Sequence, residues 1–314
     1  MFFDFQFAKQ IKDYYDVVIV GGGPAALGAA VYARRAGLSV LVVEKVLEGG
    51  QLNFTTTIDN YLGFPNIEGK ELASKMKEHA EYLGTEFLNE TVEEVILNGD
   101  LKAIRTDSER IVSGKVLMIA TGAEPKKLSV EGEKELAGKG VSYCATCDGY
   151  FFKDKKVAVV GGGDTAISDA LYLARIAESV TVIHRRDKLR AVKSLQEKAF
   201  ATPKIKFMWD TVVEKFEGDQ YLRAVVVKNV KTGETSKLEV DGVFIAIGLT
   251  PNSGLVKDIV QLDEQGYIIT NEWMETSVKG IYAIGDVRKK NVRQIITAVA
   301  DGAIAAIHAA ENYF

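Results

Sequence analysis

From Asp16 to Gly23 the chain reads DVVIVGGG, an unbroken apolar run that stops at glycines. A short continuous run of this kind predicts a strand buried on both faces, as in a parallel sheet, rather than a half-exposed strand that alternates. PAALGAAVYARRAG follows, with proline at its start and Gly37 at its end, and predicts a helix. LSVLVVE then predicts a second buried strand that closes at Glu44. The same order returns with Gly161 on Gly21 and Gly163 on Gly23: KVAVVGGG, DTAISDALYLARIAE and SVTVIHRR, with Tyr172 on Tyr32 and Val180 on Val40. One strand–helix–strand unit occurs twice.

Between and after the copies the pattern shortens. TVEEVILN, LKAIRT and KVLMIATG, within 85–120, predict a β-meander, and the stretch 205–247 mirrors it with IKFMWDTVVEKFEG, LRAVVVKNV and DGVFIAIG. Proline-bearing crossings at AEPKKL (123–128) and LTPNS (249–253) mark the passage between two domains. From Gln261 the chain is expected back in the first domain, ending in the strand GIYAIGD and a helix from about Val292. The expected fold is α/β: two Rossmann-like nucleotide-binding domains of three-layer ββα type, the second inserted into the first. Residues 1–124 and 249–314 form the discontinuous first domain and 125–248 the second.

Each copy carries G-x-G-x-x-A: Gly21, Gly23 and Ala26, then Gly161, Gly163 and Ala166. The first glycine permits the tight turn and the second lets the backbone approach a pyrophosphate. The small third residue lets the helix pack on its strand while its N-terminus faces the phosphates. A single fingerprint could be no more than a tight strand-to-helix turn, but two in equivalent context point to two nucleotides. Glu44 stands 23 residues after Gly21, placed to accept hydrogen bonds from a ribose diol. At the same offset in the second copy stands His184, followed by Arg185, Arg186 and Arg190. An acid there would repel a 2′-phosphate, whereas guanidinium groups bind it. The first copy therefore suits an unphosphorylated adenosine, as in FAD, and the second NADPH.

Composition narrows the class. At 314 residues the chain suits two domains, and 47% hydrophobic with 26% charged residues is ordinary for a soluble globular protein. A net charge of −4 gives no electrostatic reason for a nucleic-acid or anionic-membrane partner. In the aromatic opening MFFDFQFAKQIKDYYD, Asp4, Lys9 and Lys12 interrupt any leader-peptide core, and nothing approaches the roughly 18 apolar residues of a membrane span. A cytoplasmic location is expected.

The two cysteines, Cys144 and Cys147, cannot build a secreted disulfide framework, and the three separated histidines complete no zinc site with them. A static bridge over two intervening residues closes almost no loop and stabilises little. A reactive C-x-x-C pair is left, since that spacing lowers a thiol pKa and allows rapid exchange.

GGGPAA, GGQL (Gly49 to Leu52), IDNYLG, IATGA, YCATCDG, GGGDTA, HRRDKLRA, YAIGDV and RQIITA follow in that order. Together they resemble the low-molecular-weight thioredoxin reductases over nearly the whole chain. The resemblance implies a homodimeric flavoenzyme passing electrons from NADPH through FAD and the disulfide to thioredoxin or a related thioredoxin- or glutaredoxin-like protein. It implies Cys147 as the cysteine beside the flavin, Cys144 as the one that attacks the protein substrate, and Asp148 as the acid handling protons. Asp148 is also half of an Asp-Gly turn dipeptide. It further implies FAD contacts at Pro24, Ala25, Lys45, Gly50, Gln51, Leu52, Asn60, Thr121, Gly122, Gly285, Asp286, Arg293, Gln294 and Ile295, and NADPH contacts at Asp164 and Thr165. The chain departs from the family's pattern at Leu249, where His is frequent, at Ser168, where an acid usually precedes a second acid (here Asp169), and at Ala26 in place of glycine.

Cys144, Cys147 and the NADPH fingerprint share one continuous segment, apart from the FAD fingerprint. If nicotinamide and disulfide both meet the flavin, the inserted domain is expected to rotate on the two crossings. A ferredoxin- or flavodoxin-type reductase would need no C-x-x-C, and the reductase subunit of a peroxidase system would carry an added thioredoxin-like domain. A non-enzymatic flavin sensor would not explain an NADPH-specific site.

Overall fold

A computed structural model describes residues 11–45, 48–55 and 57–314; the opening segment up to Gln10, with its expected lack of a leader core, lies outside them. The chain divides into two compact units, Met1–Glu124 with Thr250–Phe314, and Pro125–Leu249. Strand β1 (Tyr14–Val20) buries Val17 to Val20 consecutively, as its unbroken apolar run predicts. Helix α1 (Pro24–Arg35) has proline in its first turn and Arg34 and Arg35 in its last, both favourable to the helix dipole, and Gly37 follows it at φ +85°. β2 (Val40–Val43) ends one residue before Glu44. Next comes α2 (Gly69–Tyr82), a helix absent from the expectations above although Leu72, Ala73, Met76 and Ala80 form an apolar stripe. β3 (Glu86–Leu88), β4 (Val92–Asn98), β5 (Leu101–Thr106), β6 (Ile111–Ile119) and the short β7 (Ala123–Pro125) complete this part.

The second unit begins with α3 (Glu133–Leu136), β8 (Val141–Ser142) and the four-residue α4 (Ala145–Asp148). The repeat follows as β9 (Lys156–Val160), α5 (Asp164–Leu173) and β10 (Ser179–Ile183), then α6 (Lys193–Phe200) and β11 (Ile205–Met208). β12 (Thr211–Gly218), β13 (Leu222–Asn229) and β14 (Thr235–Glu239) form a separate antiparallel sheet, and β15 (Gly242–Ile245) returns to the parallel one, ordered β11-β10-β9-β15-β8. The expected meander stretch IKFMWDTVVEKFEG is thus split between two sheets. The chain breaks at Asp210, whose φ of +51° turns it out of β11. Alternate residues of the parallel strands face opposite layers. Val157, Val159, Val182 and Phe244 pack on α5, whereas Ala158, Val160, Val243 and Ile245 pack on Phe216, Val225 and Val227 of the meander.

The chain re-enters the first unit at Thr250, within β16 (Leu249–Pro251). β16 pairs with β7 as a two-stranded ribbon. β17 (Ile281–Ala283) and α7 (Ile295–Tyr313) finish the chain. α7 starts three residues later than expected because Gln294 and Thr297 close a reciprocal capping box. The first unit's sheet runs β3-β2-β1-β6-β5-β4, with β17 also on β6. β6 serves two roles. Its Ile111–Gly114 end pairs antiparallel with β5, while Leu117 to Ile119 pair parallel with β17. Helices α1 and α7 cover one face of this sheet, with Val17, Ile19, Val116 and Met118 beneath them. They approach closely because they cross at glycines: a Cβ on Gly302 would lie 2.2 Å from the Ala25 carbonyl oxygen. Among the described residues no helix is long and apolar enough to cross a membrane.

Candidate functional site

Both glycine turns are built by the same constraint. Gly21 has φ +100° and a Cβ there would stand 2.5 Å from the Ala120 carbonyl oxygen; Gly161 repeats this with φ +152° and Ala246 at 2.4 Å. The second glycines behave oppositely. A Cβ on Gly23 or Gly163 would meet no atom within 4 Å, so the space at each helix start is open. Ala26 and Ala166, fully buried, let α1 and α5 seat on their strands. Asp164 and Thr165 are exposed in the first turn of α5, and Pro24 and Ala25 open α1.

Beyond each second strand the copies diverge in charge and agree in shape. Glu44 sits over the middle glycine, and one of its carboxylate oxygens accepts the Gly22 N–H at 2.7 Å. His184 holds the equivalent place over Gly162. It is 5% exposed, and its Nε2 is 3.0 Å from the Lys188 carbonyl oxygen. Burial, reinforced by Arg190, Arg186 and Arg185, holds this imidazole below the ordinary histidine range, so it is neutral at pH 7. His184 therefore packs, while Arg185, Arg186 and Arg190 stand exposed. Their loop is fastened at its far end. The N–H groups of Arg190 and Ala191 donate to the Gly162 carbonyl at 2.7 and 3.2 Å, and that of Val192 to Asp164 Oδ1 at 2.8 Å. The anchored arginines suit a phosphate.

In the first unit the remaining candidate residues are held by contacts of their own. Gly50, Gln51 and Leu52 form a 3₁₀ turn, and the Gln51 amide donates to the Ala123 carbonyl. Lys45 is exposed. Asn60 Nδ2 donates to Gln294 Oε1 at 3.2 Å, just ahead of Ile295. Thr121 and Asn252 exchange hydrogen bonds at 2.6 and 3.0 Å, and Asn252 N–H donates to the Gly122 carbonyl. Asp286 Oδ1 and Arg293 Nε are both shielded from solvent without a hydrogen-bond partner among the described residues, and the Arg293 guanidinium lies 4.1 Å from the Tyr267 ring centre. Burial raises the Asp286 carboxyl above the usual carboxylate range, against the pull of Lys290 and Arg293. Polar groups left without protein partners can hold the hydroxyls and phosphates of a dinucleotide. The residue that fixes this corner was not foreseen: buried Asp301 accepts the Gly285 N–H at 3.0 Å and pairs with Lys290 at 2.7 Å and Arg288 at 3.3 Å.

Cys144 and Cys147 are joined in a disulfide, with Cα atoms 5.3 Å apart, around the single turn of α4. Two carboxylates flank them. Asp148 Oδ2 accepts a hydrogen bond from Ser142 Oγ at 2.6 Å. Glu133, 3% exposed, accepts the N–H groups of Leu128 and Ser129 and the hydroxyl of Tyr143. Burial and Glu133 raise the Tyr143 phenol well above its usual value. Tyr150 and Phe151, immediately beyond, are exposed. Ser142 and Glu133 were invisible to spacing rules, because their partners, 2 to 10 residues away, are reached only through the irregular turns around α3 and α4. Among the described residues no group of His, Cys, Asp and Glu is disposed to hold a metal ion.

A family model described as pyridine nucleotide-disulphide oxidoreductase matches residues 15–302. The chain is 48% identical to a thioredoxin reductase of Bacillus subtilis, over 93% of this chain and 92% of that one. It is 46% identical to one from Peptoclostridium acidaminophilum, covering 96% and 98%. A solved structure of thioredoxin reductase from Streptococcus pyogenes superposes with a TM-score of 0.91 at 46% identity, over 96% of this chain and 98% of that one.

Asp169 supplies a check on the electrostatics of α5. Its carboxyl has no protein partner among the described residues, and burial alone raises it to about 7. The folded state then holds a proton that the unfolded state releases near the ordinary value of 3.8. Stability is lost as pH rises from 3.8 towards 7 and stays lost above it. Asp169→Asn should therefore raise stability by on the order of 2 kcal/mol at pH 8 and hardly at all at pH 3.5. Chemical denaturation at the two pH values measures this, and an equal effect at both would refute the assignment.

Proposed function

The chain belongs to the pyridine nucleotide-disulphide oxidoreductase family, among the thioredoxin reductases, and from that premise we propose that it reduces thioredoxin with NADPH. The observation that carries the reading is the Cys144–Cys147 disulfide, set in the unit whose glycine turn is ringed by anchored arginines. The net reaction is NADPH + H⁺ + thioredoxin disulfide → NADP⁺ + thioredoxin dithiol. The first unit holds FAD at Gly21, Gly23, Glu44, Asp286 and Arg293, and the second holds NADPH at Gly161, Gly163, Arg185, Arg186 and Arg190. FAD, when bound, carries two electrons between nicotinamide and disulfide. The fit rests on the open helix starts and on the unpartnered Asp286 Oδ1 and Arg293 Nε.

The chain's own residues do the rest. Reduction of the Cys144–Cys147 bond takes up two electrons and two protons and gives two thiols. Cys144, as thiolate, attacks one sulfur of the substrate disulfide and releases the other as a thiol. Cys147 then attacks Cys144 in the mixed disulfide, which restores the internal bond and frees the second substrate thiol. Asp148 takes and returns the protons. The enzyme works in the cytoplasm as a homodimer, for which the exposed Tyr32 on α1 and Ile296, Ile304 and Ile307 on α7 offer an apolar face. A one-chain mass in sedimentation equilibrium would count against the dimer.

Cys144→Ser and Cys147→Ser should each lower NADPH-dependent thioredoxin reduction by roughly a thousandfold or more, while NADPH still bleaches the flavin. Turnover at the wild-type rate in either variant would take the disulfide off the electron path. Two charge-assisted bonds to a phosphate contribute about 1.5–3 kcal/mol each. Arg185→Ala with Arg186→Ala should therefore cut kcat/KM for NADPH by about 10²–10⁴-fold and leave that for NADH within a small factor. Equal use of both cofactors by the unaltered enzyme would contradict the assignment.

A further inference from the structure

α4 is too short to orient its own side chains. The Cys144 carbonyl accepts the N–H of Asp148 at 3.1 Å and that of Cys147 at 3.3 Å, and no side chain caps the turn. A group that holds the Asp148 carboxylate comes from the neighbouring strand. Ser142 ends β8, 5% exposed, opposite Phe244 of β15. Its Oγ accepts the Cys144 N–H at 3.1 Å and lies 2.6 Å from Asp148 Oδ2.

A hydroxyl has one proton to give. The competing acceptor, the Cys144 carbonyl, is 3.4 Å away and already takes two backbone N–H groups. A carboxylate at 2.6 Å gives the shorter, charge-assisted bond and wins the proton. While Asp148 is ionised the chain runs from Cys144 N–H to Ser142 Oγ, and from Ser142 O–H to Asp148 Oδ2.

We propose that Ser142 is a positioning residue for the disulfide chemistry, holding the Asp148 carboxyl in one orientation and tying it to the Cys144 backbone. The inference rests on the reading of Asp148 as the group that moves protons. Opening the Cys144–Cys147 bond takes two electrons, supplied by NADPH, and two protons; restoring it returns both to the substrate's sulfurs. Asp148 stands directly after Cys147, and a carboxyl that turned freely on its side chain would meet the thiols in varying geometry. The Ser142 hydroxyl removes that freedom by occupying Oδ2. A serine that only shaped the strand end would do nothing through Asp148.

A double-mutant cycle on the full-length, FAD-loaded enzyme separates these roles, read as kcat/KM for oxidised thioredoxin. Ser142→Ala should lower it about tenfold, as expected for one charge-assisted bond. Asp148→Asn should lower it further, and adding Ser142→Ala to that variant should change it by less than about twofold. Ser142→Thr, which keeps the hydroxyl, should stay within about threefold of the unaltered enzyme and guards against misfolding of the alanine variant. Losses that multiply in the double variant, or Ser142→Ala within about twofold of the unaltered enzyme while Asp148→Asn is slow, would overturn the role of Ser142 alone. An Asp148→Asn enzyme as fast as the unaltered one would remove the proton-carrying role of Asp148, and the inference with it.

Discussion

Two carbonyl oxygens leave no room for side chains at Gly21 and Gly161, and much of the molecule follows from that exclusion. Each oxygen belongs to the residue just past a parallel neighbour: Ala120 after β6 and Ala246 after β15. With only hydrogen at the first glycine, the chain turns sharply at the strand's end and starts its helix over the same edge. The helix N-terminus then points its unpaired N–H groups into open space at Gly23 and Gly163. A substitution at either first glycine would strain the turn and push apart the two strands that line the site.

Parts of this were legible in the sequence and parts were not, for definable reasons. The strand–helix–strand repeat was visible because fully buried strands and small-residue helices leave continuous apolar runs. Its two copies also marked their own difference in charge, Glu44 against the arginine loop. The fate of the meanders was hidden. β6 continues from one pairing to another without a break in its pattern, so residues 85–120 join the parallel sheet of the first unit, whereas β12 to β14 stand apart in the second. Pattern alone registers apolar faces, not which neighbour they meet. His184 shows the same limit at one residue. Its offset matches Glu44, and it is buried over Gly162 while the arginines that follow are exposed.

The disulfide segment depends on support from outside its own helix. A four-residue helix has no stability of its own, since nucleation costs more than one turn returns. Its support is polar on both sides. Glu133 gathers the loop at 128–130 and the Tyr143 hydroxyl, and Ser142 connects the Cys144 amide to Asp148. Backbone and carboxylates are thereby held while Tyr150 and Phe151, three and four residues past Cys147, stay exposed. A site that exchanges disulfides with another protein needs this combination of held backbone and accessible apolar surface.

The corner around Asp286 obeys the same economy of charge. Asp301 is buried with two cations, Arg288 and Lys290, and Arg293 stands near Asp286 with its Nε unpartnered. Two carboxylates therefore face three cationic groups. Buried charge without compensation is costly, so an excess of one cation is tolerated only where an anion completes it or solvent reaches it. The phosphate of the proposed FAD would complete it. The raised carboxyl of Asp286 fits the same account, because a group pushed towards its protonated form by burial is ready to donate or accept a hydrogen bond from a neutral hydroxyl. Asp301, by accepting the Gly285 N–H and pairing with Lys290, anchors the backbone immediately before Asp286.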